Sequence, residues 1–172
     1  VDFFAEKDQW EYQHLIFTGP IDSYFQYSLG PLPYRSLRFE HQTFSGQELA
    51  QRREISGKEG FWQPAMQVNY PDLDVPYTRI VEIKHATQQD IAVTTIVKEF
   101  PEDWSPEKEA FYPVPTAESG RLYKQYQQLA EREANVSFIG RLGTYRYYNM
   151  DQVTGMALAE ADKLIKQHGS KS

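Results

Sequence analysis

Apolar residues in the first hundred positions of the chain come in short runs that end at proline, glycine or polar residues. Short runs of this kind, bounded by turn-forming residues, are typical of β-strands. The last three runs are close neighbours with short links, which favours an antiparallel meander. The predicted strands cover residues 14–18, 36–43, 66–70, 77–85 and 91–100, with helical turns at 21–27 and a short helix at 47–53.

The last third of the chain changes to a helical period, with apolar positions three and four residues apart. Thr116 or Ser119 can cap the first of the helices that this period predicts. The predicted order is a helix over 116–133, a strand over 136–139, a loop over 140–143 and a helix from Met150 to His168 and Gly169. The predicted fold class is therefore α+β, with an antiparallel β-sheet followed by helix, strand, loop and helix.

The composition is that of a globular domain or a large piece of one, with 172 residues, 40% of them hydrophobic. The chain has 24 acidic and 18 basic side chains and a net charge of −6, so no nucleic-acid partner is expected. Its longest apolar run, Ile91 to Val97, is too short to cross a bilayer, so no membrane association is expected. A start at Val1 without Met predicts an internal piece of a longer protein or a processed product.

Most motifs that carry enzyme chemistry are missing from the sequence. It contains no cysteine, no Gly-rich dinucleotide or Walker loop, no HExxH pair and no Gly-x-Ser-x-Gly elbow. The four histidines are scattered, so no metal site is expected. The 12 tyrosines, 10 phenylalanines and 3 tryptophans have two interpretations, a Tyr-rich β-sheet core or a surface for a sugar or nucleotide.

A predicted hairpin around the proline-bounded connection 71–76 carries the first candidate site. If its two strands pair, Asn69 and Arg79 lie nearly opposite each other at the strand ends. Strand alternation places Arg79 on the side of Val81 and Ile83, the more apolar one. A guanidinium there is costly unless it meets an anion, which can be a phosphate held by two hydrogen bonds or an internal carboxylate. Both alternatives stay open.

A second candidate site lies in the stretch 140–151, where a short strand ends at a glycine-containing loop and runs into a helix. The free N–H groups and positive dipole end of a helix N-terminus favour an anion or a cofactor. The alternative is a plain strand–loop–helix joint with Asn149 as the N-cap.

Five blocks of the sequence resemble the UDP-galactopyranose mutase family and appear in the family's order. They spread over most of the chain, and the ordered set is more specific than any single block. The blocks are Thr18 to Asp22 with Tyr24-Phe25, Leu32 to Glu40, Val68 to Tyr70 running to Val75 to Ile80, Phe111 to Val114, and Phe138 to Tyr147.

The resemblance implies an isomerase that interconverts UDP-galactopyranose and UDP-galactofuranose with bound FAD, active in the reduced form. In the implied mechanism, flavin N5 attacks the anomeric carbon of the sugar, UDP leaves, and the sugar–flavin adduct opens and recloses with the other ring size. The protein would orient the substrate and neutralise its diphosphate. No side chain of this chain is expected to act as the catalytic nucleophile.

The resemblance also implies site residues, position by position. Arg79 corresponds to the arginine that meets the diphosphate, Asn69 to a substrate-side asparagine, and Tyr112 and Tyr147 to tyrosines that hydrogen-bond the diphosphate. The implied cofactor-binding residues are Gly140, Arg141, Asn149 and Met150. Asn149 stands where the family often has an acid, and it brings no charge to the flavin.

The family's N-terminal Rossmann fingerprint and its helical substrate domain do not occur in this sequence. The expected organisation is a fragment of a larger FAD-dependent α/β enzyme. Residues 1–115 would form a mixed β-sheet region on the substrate side, and residues 116–172 a helix–strand–helix segment that completes the FAD-binding domain. This piece alone is expected neither to hold FAD well nor to turn over substrate.

The partners implied by the resemblance are UDP-galactose and UDP-galactofuranose, the implied compartment is the cytoplasm, and a homodimer is one of the open assembly states. Two other functions also stay open. One is a non-catalytic, aromatic-rich module that binds a carbohydrate or nucleotide. The other is the C-terminal half of another flavoprotein of the amine-oxidase-like group, against which the hairpin with Asn69 and Arg79 weighs.

Overall fold

A computed structural model describes residues 3–169 of the chain. The chain divides into two compact units, Val1–Arg35 with Trp104–Ser172 and Ser36–Asp103, called here the tyrosine unit and the hairpin unit. In chain order the elements are α1 (Phe3–Glu6), a 3-10 turn (Lys7–Gln9), β1 (Leu15–Phe17), α2 (Ile21–Tyr24), β2 (Tyr34–Ser45), α3 (Gly46–Ser56), β3 (Gln67–Asn69), β4 (Arg79–Glu82), α4 (Lys84–Thr87), β5 (Val93–Asp103), β6 (Tyr112–Pro113), α5 (Ala117–Ala130), β7 (Val136–Phe138), α6 (Gly140–Gly143) and α7 (Met150–Gly169).

The hairpin unit is built on an antiparallel sheet in which β4 lies between β3 and β5. This confirms the predicted meander. Asn69 on β3 is directly opposite Arg79 on β4, and Arg79 is in turn opposite Glu99 on β5. One further backbone bond continues this register past the strand ends, because the Tyr70 N–H donates to the Thr78 carbonyl at 2.9 Å.

The helix α3 of the hairpin unit has clear start and stop signals. Ser45 and Glu48 form a capping box at its N-terminus, and Gly57 ends it with a left-handed backbone (φ 68°). The helix buries Leu49, and Phe61, Ile80 and Ile96 are also buried in this unit. The predicted helix over 47–53 is therefore confirmed and extends further at both ends.

The tyrosine unit has a core of buried side chains from distant parts of the sequence. The core residues are Ile21, Leu32, Tyr34, Ala110, Tyr126 and Tyr145. Tyr34 and Arg35, at the start of β2, pair antiparallel with Pro113 and Tyr112 of β6. In the same unit β1 and β7 form a two-stranded parallel sheet, a pairing that the sequence analysis did not predict.

The helices of the tyrosine unit begin where the capping residues predict. The Ser119 N–H donates to Thr116 Oγ1 at 3.0 Å, and the Thr116 N–H donates to Ser119 Oγ at 2.8 Å, so both candidate caps contribute to the start of α5. Helix α7 begins at Met150, as predicted from its apolar stripe. No helix among residues 3–169 has the length and apolar character needed to cross a bilayer.

Two predictions about local structure are wrong. The strand predicted over 77–85 stops at Glu82, and α4 starts two residues later, so His85 is helical rather than extended. The loop predicted over 140–143 is the short helix α6. It lies close to β1, since a Cβ on Gly143 would be 3.2 Å from the carbonyl oxygen of Phe17, and only glycine fits this approach without a shift.

Candidate functional site

The hairpin unit places Arg79 in a chain of polar contacts at the end of the β3–β4 hairpin. Arg79 Nε lies 2.9 Å from Glu99 Oε2, and Arg79 Nη1 donates to Gln67 Oε1 at 3.3 Å. Gln67 Nε2 in turn donates to Asn69 Oδ1 at 3.1 Å. The structure therefore brings Asn69 and Arg79 together as the sequence predicted, with Gln67 and Glu99 as partners that it did not predict.

The face of the sheet that carries Arg79 and Val81 is the more exposed one, although the sequence makes it the more apolar face. The Arg79 side chain is 31% exposed and its neighbour Ile83 is 46% exposed. Ile80 and Glu82 occupy the buried face instead. The guanidinium thus has a carboxylate partner and also access to solvent, and a ligand can reach it without entering the core.

The buried face of β4 is fixed by the Glu82 carboxyl group. Glu82 has no exposed surface and accepts hydrogen bonds from the Trp62 and Gln63 N–H groups at 2.9 and 3.0 Å and from Thr94 Oγ1 at 2.6 Å. His85 Nε2 lies 3.4 Å from the same carboxyl. These bonds join the 61–63 segment to β4 and β5, and by alternation along the strand they hold Arg79 on the opposite, accessible face.

The tyrosine unit brings three other predicted residues into one group, called here the arginine–tyrosine cluster: Tyr112, Arg141 and Tyr147. The Arg141 guanidinium lies 5.1 Å from the Tyr147 ring centre and 5.8 Å from that of Tyr112, and the two rings are 5.9 Å apart. Arg141 Nε donates to the Tyr148 carbonyl at 2.7 Å. A cation close to two aromatic rings is a favourable arrangement.

The polar tips of the arginine–tyrosine cluster are available to a ligand. Within residues 3–169, neither the Tyr112 hydroxyl nor the Tyr147 hydroxyl makes a hydrogen bond, and Arg141 uses its Nε alone. Tyr147 is 60% exposed. Two phenol donors and a guanidinium with spare N–H groups form a set that suits a diphosphate or another bulky anion.

An apolar cavity of about 580 Å³ lies next to Arg141 in the same unit. Gly140 borders it with a left-handed backbone (φ 82°), and Met150 borders it at the start of α7. The other lining residues are Thr18, Ala110, Phe111, Ile139, Leu142, Val153, Thr154 and Ala157. The mainly apolar walls, with one guanidinium at the edge and a helix N-terminus beside them, fit a planar ring system that carries phosphate, such as a flavin nucleotide.

Asn149 is the predicted cofactor residue with the weakest support from its surroundings. It is exposed, its N–H donates to Gln152 Oε1 at 2.9 Å, and it does not line the cavity. The backbone N–H group of Asn149, just before α7, is thus satisfied by the Gln152 side chain. Among residues 3–169 there is also no group of three or more His, Asp or Glu side chains arranged to hold a metal ion.

Comparisons with known proteins define the family to which the chain belongs. The sequence model of the UDP-galactopyranose mutase family matches residues 1–147. The chain therefore belongs to the UDP-galactopyranose mutase family. A crystal structure of reduced UDP-galactopyranose mutase has the same fold, with a TM-score of 0.55 and 17% identity, over 80% of this chain and 37% of that one.

Curated relatives agree with this assignment. A Klebsiella pneumoniae protein named as a probable UDP-galactopyranose mutase is 33% identical over 94% of this chain and 39% of its own length. A dTDP-fucopyranose mutase of Escherichia coli is 33% identical over 92% of this chain and 39% of its own length. A UDP-galactopyranose mutase of Mycoplasma pneumoniae is 31% identical over 88% of this chain and 36% of its own length. The chain thus spans about two fifths of the length of these relatives.

Proposed function

We propose that this chain is the C-terminal part of a flavin-dependent UDP-galactopyranose mutase, an isomerase that interconverts UDP-galactopyranose and UDP-galactofuranose. The observation that carries the proposal is the arginine–tyrosine cluster beside an apolar cavity, in a member of the mutase family. Residues 116–172 would complete a flavin-binding domain, and residues 1–115 would contribute to the substrate side. Alone, the chain would neither hold FAD well nor turn over substrate.

In this proposal the hairpin unit offers Arg79 and Asn69 to the substrate, and the tyrosine unit offers the hydroxyls of Tyr112 and Tyr147 to a phosphate group. Arg79 makes an ion pair with Glu99 and a hydrogen bond to Gln67, and a guanidinium has five N–H donors. It can therefore bind a phosphate while it keeps one of these partners. Because the Arg79 side chain is 31% exposed, a phosphate can reach it from solvent, but the Glu99 side chain is only 14% exposed, so releasing its carboxylate costs more than at a fully exposed pair.

The cofactor in this proposal is FAD in its reduced form. When bound, the flavin supplies the nucleophilic N5 for the change of sugar ring size. The chain's own part is to bind and orient: Gly140 allows close approach of a ligand to the backbone, Arg141 offers its free N–H groups, and Met150 provides an apolar wall. Asn149 would donate or accept hydrogen bonds at the edge of the flavin without adding charge.

A second candidate substrate is a dTDP-linked 6-deoxy sugar. The dTDP-fucopyranose mutase relative is as similar to this chain as the UDP-galactopyranose mutase relative, at 33% identity each. The groups described above recognise a diphosphate, which both substrates contain, so they do not select between the two sugars or the two bases.

The deciding experiment is a turnover assay on the full translation product of the gene that encodes this chain. The protein is incubated with dithionite and either UDP-galactofuranose or dTDP-fucofuranose, and the products are separated by chromatography. The proposal expects UDP-galactopyranose to form only when the flavin is reduced. Turnover of the dTDP sugar alone would favour the second candidate. UDP binding without turnover or flavin dependence would support a non-catalytic binding module, and bound flavin without activity on either sugar would support another amine-oxidase-like flavoprotein.

A further inference from the structure

Tyr145 belongs to the core of the tyrosine unit and precedes Tyr147 of the arginine–tyrosine cluster by two residues, and its backbone is in an unfavourable conformation. Its φ of 48° falls in the left-handed region, which bulky side chains rarely adopt. Its side chain is only 6% exposed. A strained backbone at a buried aromatic residue persists only where the surrounding contacts hold it in place.

The contacts that hold Tyr145 come from the two strands next to the cluster. Its hydroxyl lies 2.7 Å from the Pro33 carbonyl and 2.9 Å from the Val114 carbonyl, and it donates its single proton to this pair. Pro33 directly precedes β2, and Val114 directly follows β6. The phenol therefore joins both strands at the point where Tyr112 enters the cluster.

The ring of Tyr145 is held as firmly as its hydroxyl. It packs edge-on against Tyr34 at 5.5 Å between ring centres and stacks on Tyr123 at 5.7 Å. Such aromatic pairs contribute about 0.5–1.5 kcal/mol each beyond the burial of area. Ring, hydroxyl and backbone thus each restrict the position of this one residue.

The left-handed turn at Tyr145 sets the path of the chain on both sides of it. On its N-terminal side, the Tyr145 N–H donates to the Leu142 carbonyl at 3.3 Å, which ties it to α6 and hence to Arg141. The Arg146 N–H then donates to the Arg141 carbonyl at 2.9 Å. The chain therefore turns back, and Tyr147 comes to lie against the guanidinium of Arg141.

We propose that Tyr145 is a positioning residue: by joining the ends of β2 and β6 to the turn after α6, it holds Tyr112, Arg141 and Tyr147 in the arrangement that binds the ligand. The binding role of the cluster rests on the proposed function. The positioning role does not, because it concerns contacts within one unit. Tyr145 itself makes no contact with the ligand in this proposal, because its hydroxyl is directed at backbone carbonyls.

The test compares Tyr145→Phe with Tyr126→Phe in the full translation product. Tyr126 is a matched control, because it is also buried and its hydroxyl also donates to a backbone carbonyl, that of Gly30 at 2.8 Å, away from the cluster. Two quantities are measured: the ¹⁹F NMR signal of a fluorotyrosine placed at position 147 alone, and the Kd for UDP. The first measurement does not depend on any ligand.

The proposal expects Tyr145→Phe to shift or broaden the signal at position 147 and to weaken UDP binding about tenfold, because small displacements of binding groups have large effects. Tyr126→Phe should leave both as in the parent. An unchanged NMR signal at position 147 in Tyr145→Phe, or an equal change of that signal in Tyr126→Phe, would overturn the proposal. If the parent binds UDP, an unchanged Kd for UDP in Tyr145→Phe would overturn it as well. If the parent does not bind UDP, the proposed function fails, and the NMR signal alone decides the positioning role.

Discussion

The tyrosine unit and the hairpin unit differ in which polar groups they bury. The tyrosine unit buries phenol rings and directs their hydroxyls at backbone carbonyls or at Asp22. The hairpin unit buries charged side chains: Glu82 accepts three hydrogen bonds, and Lys84 Nζ donates to the carbonyls of Gly60 and Ile91 at 2.9 and 2.6 Å. These buried groups of both units have partners, whereas Gln63 Oε1 in the hairpin unit is buried without a hydrogen-bond partner among the described residues.

This difference has a consequence for the two candidate groups of binding residues. In the tyrosine unit, two tilted rings, cation–π contacts and a hydrogen bond from Arg141 to the Tyr148 carbonyl hold the arginine–tyrosine cluster in one arrangement. In the hairpin unit, Arg79 is partly exposed and its partner is a carboxylate that a ligand's phosphate can replace. We therefore infer that the arginine–tyrosine cluster is preorganised for its ligand and that Arg79 with its partners adjusts when the ligand binds.

The largest effect on this comparison is expected from Glu82→Ala. The substitution leaves the N–H groups of Trp62 and Gln63 and the hydroxyl of Thr94 without their acceptor inside the hairpin unit. We expect the free energy of unfolding to fall by about 3–5 kcal/mol, the range for breaking a buried charged network. Urea unfolding followed by circular dichroism measures it.

The control for this variant is Glu99→Gln, on the accessible face of the same sheet. The Arg79–Glu99 pair is partly exposed, so its loss should cost less than about 1 kcal/mol. Equal losses in the two variants would contradict the view that the buried carboxyl, and not the accessible ion pair, holds the hairpin unit together.

An intermediate effect, dependent on pH, is expected from Asp22 in the tyrosine unit. Its carboxyl accepts hydrogen bonds from the Leu32 N–H and the Tyr34 hydroxyl, both at 2.8 Å, but burial raises its pKa above the ordinary value of 3.8. A raised pKa in the folded state means that the contribution of Asp22 to stability is fully present below pH 3.8 and is lost as pH rises through the folded pKa.

The corresponding measurement is the free energy of unfolding of the parent and of Asp22→Asn from about pH 3 to about pH 7, where other groups cancel in the difference. The advantage of the parent over the variant should shrink as the pH rises. An advantage that grows with pH would show that the hydrogen bonds of Asp22 outweigh its burial and that its pKa is lowered.

The smallest effect is expected where a single neutral hydrogen bond is removed. Tyr126→Phe deletes a buried hydroxyl that donates to Gly30 and accepts from the Leu29 N–H at 3.1 Å. Tyr123 makes no hydrogen bond through its hydroxyl with any described residue, so Tyr123→Phe is its control. We expect a loss of about 1 kcal/mol for the first and almost none for the second, by thermal unfolding. A loss of the same size in both would mean that the hydroxyl bonds add nothing to the tyrosine core.

The sequence predicted well what local signals determine. The cap of α5 and the proline-bounded hairpin each depend on residues that are close in sequence. Asn69 and Arg79 could be placed opposite each other because the connection between them is short. The Tyr-rich core was one of two interpretations of the composition, and Tyr34, Tyr126 and Tyr145 show that it holds for part of the tyrosines.

What the sequence could not predict depends on distant contacts. Leu15 pairs with Val136 across most of the chain, and no local pattern indicates such a partner. Alternation along β4 defined two faces of the strand but did not tell which face is buried. The more apolar face is the exposed one. The face with Glu82 can be buried because N–H groups from another segment satisfy its carboxyl. The register of β4 with β5 would have revealed Glu99 as the partner of Arg79, had that register been predicted.

The most direct test of the account is the effect of Arg79→Ala on kcat/KM for UDP-galactofuranose in the full translation product. Arg53→Ala is the matched control, since it removes an exposed arginine of the same unit whose contact with Glu59 is 3.9 Å long. The account predicts a loss of about 100-fold, or ~3 kcal/mol, for Arg79→Ala, because a charged hydrogen-bonded contact with the diphosphate disappears, and no loss for Arg53→Ala. Parent-like kcat/KM in Arg79→Ala would contradict the assignment of this arginine to the diphosphate.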